Sequence, residues 1–180
     1  LSWTWESMSA QAVKEAKSTR SASRLATVLT QACNNLYEGR PGDDTTVAVM
    51  RISPKKRVKL MTGPPRYPEN DEMAVKQLME GQAWRIVSGG TSANIVARIL
   101  NKEVTDIEDQ TLHPYVPPIA HISGIDLTTE GVLTLSYALK LLERYTTDPD
   151  LDEAFYDELD EENGGSMIAK VLIEECTDLE

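Results

Sequence analysis

The chain has 180 residues, of which 41% are apolar, and its formal net charge is −11 at pH 7. This length suffices for one ordinary hydrophobic core, or for one moderate core and part of another. The acidic excess argues against nucleic-acid or anionic-lipid partners, because both favour a basic protein face. The sequence has no apolar run near the roughly 20 residues of a membrane-spanning helix, and its start does not resemble a signal peptide. We therefore expect a globular cytoplasmic protein without a membrane segment in this chain.

Residues that could bind a metal by their type alone have simpler structural explanations. Cys33 and Cys176 lie far apart, each among apolar residues at helical spacing, so we expect two reduced core thiols. His113 and His121 have no acid or cysteine partner at metal-binding spacing, and we assign them no role. The acidic segment 148–162 begins like a calcium loop but has Glu where that loop needs glycine, so we interpret it as a solvated helix face.

Two helices are predicted first, over about residues 7–17 and 21–37. The second carries an apolar stripe at three- and four-residue spacing, formed by Leu25, Val28, Leu29, Ala32, Cys33 and Leu36. Glycine and proline end this helix at 39–42. Residues 45–52 are β-prone and almost wholly apolar, which predicts a strand covered on both faces. The polar stretch 53–56 is typical of a linker.

Beyond this linker, strands and helices alternate. Strands are predicted at 58–62 and 84–88, and each is followed by a helix, at 71–80 and 91–100 respectively. Such alternation indicates an α/β layer structure. The proline-containing stretch 103–118 predicts a long connection.

The remaining residues continue the alternation with a short strand at about 122–127. Thr128 or Thr129 then caps a predicted helix that runs to about residue 145. The apolar face assigned to this helix consists of Val132, Leu135, Leu139 and Leu142. A break at Asn163-Gly164-Gly165 precedes a last helix. We expect the α/β class with two domains, an incomplete helix-strand piece over 1–53 and a small α/β domain over 57–180.

Asp43 and Asp44 stand between the glycine/proline turn and the predicted strand at 45–52. Loop backbone at a strand entrance leaves room for a hard cation to bind carboxylate oxygens. The same pair is also typical of a turn whose side chains accept backbone N–H groups, and this is the more frequent arrangement. The residues alone leave both interpretations open.

The segment around these acids resembles a known family. Asp43-Asp44-Thr45-Thr46, followed by an apolar strand, is similar to the last conserved motif of PPM-type metal-dependent serine/threonine protein phosphatases. Aspartate at the second position is usual in the stage II sporulation protein E branch. Further segments that resemble this branch, or a downstream region attached to some of its members, are Trp3-Thr4-Trp5-Glu6, 35–41, 62–65, 88–98 and 124–135.

The resemblance implies that residues 1–53 are the C-terminal helix-strand remnant of a PPM phosphatase sandwich, and that 57–180 form an accessory domain. In this family the first Asp of the motif binds one of two Mn²⁺ or Mg²⁺ ions, and a water held between them attacks the phosphorus of phosphoserine or phosphothreonine. This implies that Asp43 is a metal ligand, and that Asp44 at most orients groups next to the metal.

The other metal ligands of the family belong to earlier motifs that are absent from this sequence. One carboxylate cannot hold a two-metal centre, and the chain starts at Leu1 rather than at methionine. We therefore expect that an upstream part is missing, and that this fragment is inactive and binds no metal by itself. The parent enzyme would act on a bacterial phosphoprotein.

A second candidate site lies where a predicted strand meets a helix at Gly89-Gly90. Backbone N–H groups at a helix start, with its positive dipole end, suit an anion. The segment lacks the full glycine pattern and the lysine of a phosphate-binding loop, so an ordinary capped turn is the more frequent explanation of this pattern. Parallel strands would bring the turns at 62–65 and 128–131 to the same edge, which predicts a pocket there. The candidate anion-binding residues are Gly89, Gly90, Thr91, Ser92, Thr62 and Gly63.

Three functional hypotheses follow from the sequence. The chain is a phosphatase fragment whose parent hydrolyses phosphoserine or phosphothreonine. Alternatively, 57–180 form a separate module that binds a small anionic ligand and regulates the phosphatase. In the third hypothesis this domain is a platform for packing or homodimerisation without a ligand.

Overall fold

The computed structural model describes residues 4–38, 40, 43–106 and 119–180, which form a mixed α/β fold. The helices are α1 (Trp5–Ser18), α2 (Ala22–Leu36), α3 (Asp71–Met79), α4 (Gly90–Leu100), α5 (Val132–Thr147), α6 (Glu153–Leu159) and α7 (Gly164–Lys170). The strands are β1 (Arg57–Thr62), β2 (Trp84–Ser88), β3 (Thr105–Asp106), β4 (Ile119–His121), β5 (Leu127–Thr129) and β6 (Asp178–Leu179). Across these ranges no helix is both long and apolar enough to cross a membrane.

The chain divides into two compact units. Leu1–Pro54 and Asp148–Glu158 form one, here called the N-terminal unit, and Lys55–Thr147 and Leu159–Glu180 form the other, here called the sheet unit. The boundary at Pro54 lies within the stretch whose composition is typical of a linker. The N-terminal unit also includes Asp148–Glu158, which the sequence analysis assigned to the second domain.

The N-terminal unit is built from helices. Of the predicted stripe on α2, Leu29 and Cys33 are buried, and Cys33 is a free thiol. The acidic segment is not the solvated face that its composition predicted, because Phe155 and Tyr156 are buried within α6. The hydroxyl of Tyr156 lies 2.9 Å from that of Ser23 on α2. Phe155 and Tyr156 are adjacent and have acids on both sides, so the high acid content of the segment hid its buried face from the sequence analysis.

The strand predicted at 45–52 is absent. Residues 44–52 form neither helix nor strand, and the side chains of Met50 and Ile52 are 90% and 92% exposed. The strands of the described chain all belong to one sheet in the sheet unit. A single extended run has no ladder of hydrogen bonds to hold it, so the apolar composition alone does not make it a strand.

The sheet unit is organised around a sheet with the strand order β3-β4-β5-β2-β1-β6. The pairs β5–β2, β2–β1 and β1–β6 are parallel, whereas β4 is antiparallel to both β3 and β5. The central strands bury Val58, Ile86 and Val87, as expected for strands covered on both faces. Helices α3 and α4 contribute Val75 and Val96 to the core that contains Val87.

The strand predicted at about 122–127 is instead the turn between two strands, β4 (Ile119–His121) and β5 (Leu127–Thr129). The chain turns between β4 and β5, where Gly124 has a φ of +98° that favours glycine. Ile122 is fully buried at this turn and packs in the core, which explains its apolar character without a strand. Because Thr128 and Thr129 belong to β5, the next helix begins only at Val132.

The apolar face predicted for α5 is also wrong. The buried residues are Thr134, Ala138 and Leu141, whereas Val132 is 80% exposed. Helix α7 packs against this small-residue face with Gly165 so close that an added Cβ would lie 3.1 Å from the Thr134 carbonyl oxygen. Helices α5 and α7 can approach this closely only where the side chains between them are small. The leucine positions of the predicted face therefore do not mark the contact with α7.

Candidate functional site

Asp43 is exposed in the N-terminal unit, and its Oδ1 accepts a hydrogen bond of 2.9 Å from the backbone N–H of Asp44. This contact is of the turn type that the sequence left open. The other carboxylate oxygen has no hydrogen-bond partner among the described residues. Asp43 therefore keeps one oxygen available for a cation. Asp44 is exposed as well.

The described residues contain no group of three or more His, Cys, Asp or Glu side chains that could hold a metal ion. Two-metal hydrolysis needs several carboxylates around each ion. Any metal bound at Asp43 would therefore need ligands from residues other than those described. His121, which received no role, is exposed on β4, and His113 lies outside the described residues.

The second predicted site depends on three turns at one edge of the sheet, and the strand register brings their strand ends together. Thr62 of β1 is in register with Ser88 of β2, and Ser88 with Thr129 of β5. Because these strands are parallel, their carboxyl ends lie at the same edge, where open α/β sheets bind ligands. Each strand end is followed directly by one of the three turns: Gly63 after β1, Gly89-Gly90 after β2, and residues 130–131 after β5.

Two of these turns pack tightly against each other. The N–H of Gly89 donates to the Thr129 carbonyl at 2.8 Å, and the Ser88 hydroxyl donates to the Glu130 carbonyl at 2.8 Å. A Cβ added at Gly131 would lie 3.5 Å from the Gly89 Cα. Gly89 has a φ of +110°, which L side chains rarely adopt. These contacts leave little space between the turns for a ligand.

The start of α4 already has a carboxylate beside it. Both carboxylate oxygens of Glu130 lie 3.9 Å from the position of a Cβ on Gly90, so the chain supplies its own anion at the positive end of the helix dipole. Thr91 is exposed at this first turn. Ser92 is 1% exposed and its hydroxyl has no hydrogen-bond partner among the described residues.

A cavity of about 660 Å³ lies at the same edge, but beside β1 rather than at Gly89-Gly90. Thr62 and Gly63 line it, together with Pro64 and Glu180. Lys59, only 8% exposed, also lines this cavity. Its Nζ donates to the Gln77 carbonyl at 2.5 Å and lies 3.3 Å from Glu180 Oε2. The candidate anion-binding residues thus separate into two places.

Sequence reasoning missed Lys59, and it placed Glu130 at this edge only as part of the turn at 128–131, without a role of its own. Lys59 stands in an apolar strand, and a charged residue within such a run is a signal that could have identified a buried cation. Glu130 directly follows β5. Only the pairing of β2 with β5 shows that this acid lies beside the start of α4. Comparison of the chain with protein-family models, curated proteins and solved structures gives no match.

Proposed function

We propose that this chain is the C-terminal part of a PPM-type metal-dependent protein phosphatase of the stage II sporulation protein E kind. The parent enzyme hydrolyses phosphoserine or phosphothreonine in a bacterial regulatory pathway. The observation that carries the proposal is the exposed carboxylate of Asp43, with one oxygen unused, at the first acid of the Asp43-Asp44-Thr45-Thr46 motif. The sheet unit, Lys55–Thr147 and Leu159–Glu180, is an accessory α/β module.

In the parent enzyme, Mn²⁺ or Mg²⁺ would supply an activated water and neutralise charge on the phosphoryl group. Asp43 would contribute a carboxylate oxygen to one ion, a role that hard cations favour. Asp44 would accept or orient hydrogen bonds next to that carboxylate. Hydrolysis forms a bond between water oxygen and phosphorus, breaks the bond from phosphorus to the serine or threonine oxygen, and returns a proton to that oxygen.

The exposed apolar run at 45–52 supports the same proposal. Met50 and Ile52 project into solvent, although a run of this composition is suited to a strand inside a sheet. A phosphatase sandwich would supply the neighbouring strands and cover these side chains. This chain by itself would then be catalytically inactive, and its run would become a strand only in the parent protein.

Two matched variants of the gene product that contains these residues test the metal role. Asp43→Asn should lower Mn²⁺-dependent hydrolysis of a phosphoserine peptide at least about 100-fold, since loss of even an outer partner of a metal costs about 10–100-fold. Asp44→Asn should stay within about tenfold of the unmodified protein, because it keeps a hydrogen-bonding side chain at that position. Equal activity of the Asp43 variant, or no hydrolysis by the unmodified gene product, would refute the proposal.

A second experiment tests whether the run 45–52 is covered by a sheet in the parent protein or is exposed there as well. In the 180-residue chain, Ile52→Ala should change the free energy of unfolding by less than about 0.5 kcal/mol, as for other exposed positions. In the gene product that includes the phosphatase sheet, the same change should cost about 2–5 kcal/mol, as for a buried isoleucine. Urea titrations of both pairs measure this difference, and an equally small effect in each would contradict a covered strand.

The cavity beside β1 favours a second candidate function, in which the sheet unit is a separate module that binds a small anion. Lys59 provides a buried cation in that cavity. Phosphate at about 100 times its dissociation constant should add about 2.7 kcal/mol to the free energy of unfolding. Lys59→Met should abolish this gain, whereas Lys102→Met, at an exposed position, should keep it. No gain in the unmodified protein would leave the packing or homodimer hypothesis.

A further inference from the structure

A second cavity, of about 640 Å³, lies at the opposite edge of the sheet, where β1 and β2 begin. Its volume falls within the range of small-molecule sites, about 300–1,000 Å³. The lining comes from the residues that lead into β1, from those that lead into β2, and from the end of α7 with the turn that follows. This cavity and the candidate site lie at opposite ends of the same strands, and the sheet is all that they have in common.

The lining is basic although the chain is acidic. Lys55, Lys56, Arg57 and Lys170 contribute four cations, against two acids, Glu174 and Glu175. The whole chain carries a net charge of −11. Carboxylates outside the lining also pair with these cations: Asp178 with Lys55 and Arg57, Glu180 with Arg57, and Asp160 with Lys170. An anion would therefore be bound here by exchange with these carboxylates, not by an unpaired positive charge.

The cations are held by ion pairs that an incoming anion can replace. Lys55 Nζ lies 2.9 Å from Asp178 Oδ2, and Arg57 Nε lies 3.2 Å from the same oxygen. Lys56 pairs with Glu175. All three cationic side chains are more than one third exposed. Solvent-exposed pairs of this kind contribute little to stability, so their exchange for a ligand's oxygens has a low cost.

Trp84 supplies an aromatic wall to the same cavity. It is the first residue of β2 and is 38% exposed. A partly exposed indole in the same lining as the cations offers an apolar ring on which a planar ligand ring can stack. The combination suits a ligand that has both a ring and an anionic group.

The turn after α7 provides an independent signal. Val171–Glu175 is π-helical, and the Cys176 N–H donates to the Val171 carbonyl at 2.8 Å. π-Helical turns are rare and occur frequently at functional sites. This turn places Val171, Glu174 and Glu175 in the cavity lining, so the irregular backbone shapes one wall of the site.

We propose that this cavity binds a nucleoside phosphate, with the base against Trp84 and the phosphate oxygens on Lys55, Lys56 and Arg57. The assignment concerns binding and includes no chemical step. It goes beyond the phosphatase proposal, because neither Asp43 nor a metal takes part.

Titration of the purified chain with ATP and GTP in EDTA-containing buffer tests the site without any metal. At least one nucleotide should bind in calorimetry, raise the melting temperature, and bind at least tenfold more weakly when salt is raised from 50 to 500 mM, concentrations chosen to screen ion pairs. Pyrophosphate, which lacks a base, and adenosine, which lacks a phosphate, should each bind at least tenfold more weakly. Absence of binding by both nucleotides at millimolar concentration overturns the proposal, as does equal binding of pyrophosphate.

Variants then locate the site. Lys55→Ala leaves Asp178 paired with Arg57, and Trp84→Leu removes the ring, so each should weaken nucleotide binding at least tenfold. Lys14→Ala and Trp5→Leu make the same changes at exposed positions of the N-terminal unit and should bind normally. Circular dichroism and urea midpoints identify any variant that fails to fold, in which case Lys55→Gln and Trp84→Phe replace it. Unchanged affinity in both folded site variants refutes this location.

Discussion

The carboxylate of Glu130 lies beside Gly90, with both oxygens 3.9 Å from the position that a Cβ on that glycine would take. Gly90 is the first residue of α4, and Glu130 directly follows β5. An acid from a neighbouring strand end thus compensates the positive end of a helix whose own first turn contains no acid. A carboxylate of the chain itself thus lies where the sequence predicted an anion-binding site.

Replacement of Glu130 by glutamine should therefore destabilise the sheet unit. The expected loss in free energy of unfolding is about 0.3–1 kcal/mol, the usual contribution of an acid near a helix N-terminus at low ionic strength. Urea titration at low and high salt measures it, and the loss should shrink as salt screens the interaction. Glu103→Gln, an exposed acid beyond the other end of α4, should cause no loss. Equal losses in both variants would contradict a dipole interaction.

The contact between α5 and α7 should tolerate no side chain at Gly165. An added Cβ would lie 2.6 Å from Tyr137 Cδ1 and 3.1 Å from the Thr134 carbonyl oxygen. Gly165→Ala should therefore cost about 1–3 kcal/mol through overpacking. Gly90→Ala is the matched control, because its nearest contacts are at 3.9 Å. Thermal and urea unfolding compare the two, and a stable Gly165 variant would show that the helices separate at no cost.

Acid should weaken the sheet unit slightly through Asp178, whose ion pairs with Lys55 and Arg57 are screened by solvent. Hydrogen bonds from Lys55 and then Arg57 lower the pKa of this carboxyl below its ordinary value of 3.8. A carboxyl with a depressed pKa in the folded state stabilises the protein above its unfolded pKa, and this contribution is lost as pH falls through the folded pKa. Urea midpoints should thus decline below about pH 4. In the Asp178→Asn variant the urea midpoint should fall less steeply below that pH. The same pH dependence in the variant and the unmodified protein would contradict the prediction.

Much of the sheet unit follows from local patterns. The strand at Trp84–Ser88 has the predicted limits, and α3 and α4 agree with their predictions to within one residue at each end. These elements combine apolar periodicity with clear stop signals, such as the left-handed Asn101 after α4. For them, local propensity and burial favour the same structure, and no distant partner is needed to decide it.

The failed predictions share a dependence on residues far away in the chain. The run at 45–52 has strand composition, but a strand requires a neighbour, and the sequence contains no information on whether one is present. In α5 the leucines suggested the wrong face, because the glycines of α7 select the small residues Thr134 and Ala138 for close contact. Composition identifies apolar residues, whereas the packing partner decides which of them are covered.

The sequence by itself determined the α/β class, the alternation of elements in the sheet unit and the acidic motif at Asp43. Each of these depends on neighbouring residues along the chain. Only the tertiary structure decided that Glu130 approaches Gly90, that Lys59 is buried in a cavity, and that Trp84 shares a second cavity with Lys55. These relationships join residues far apart in the chain, such as Lys59 and Glu180. Strand order and register, which short-range propensities do not encode, bring them together.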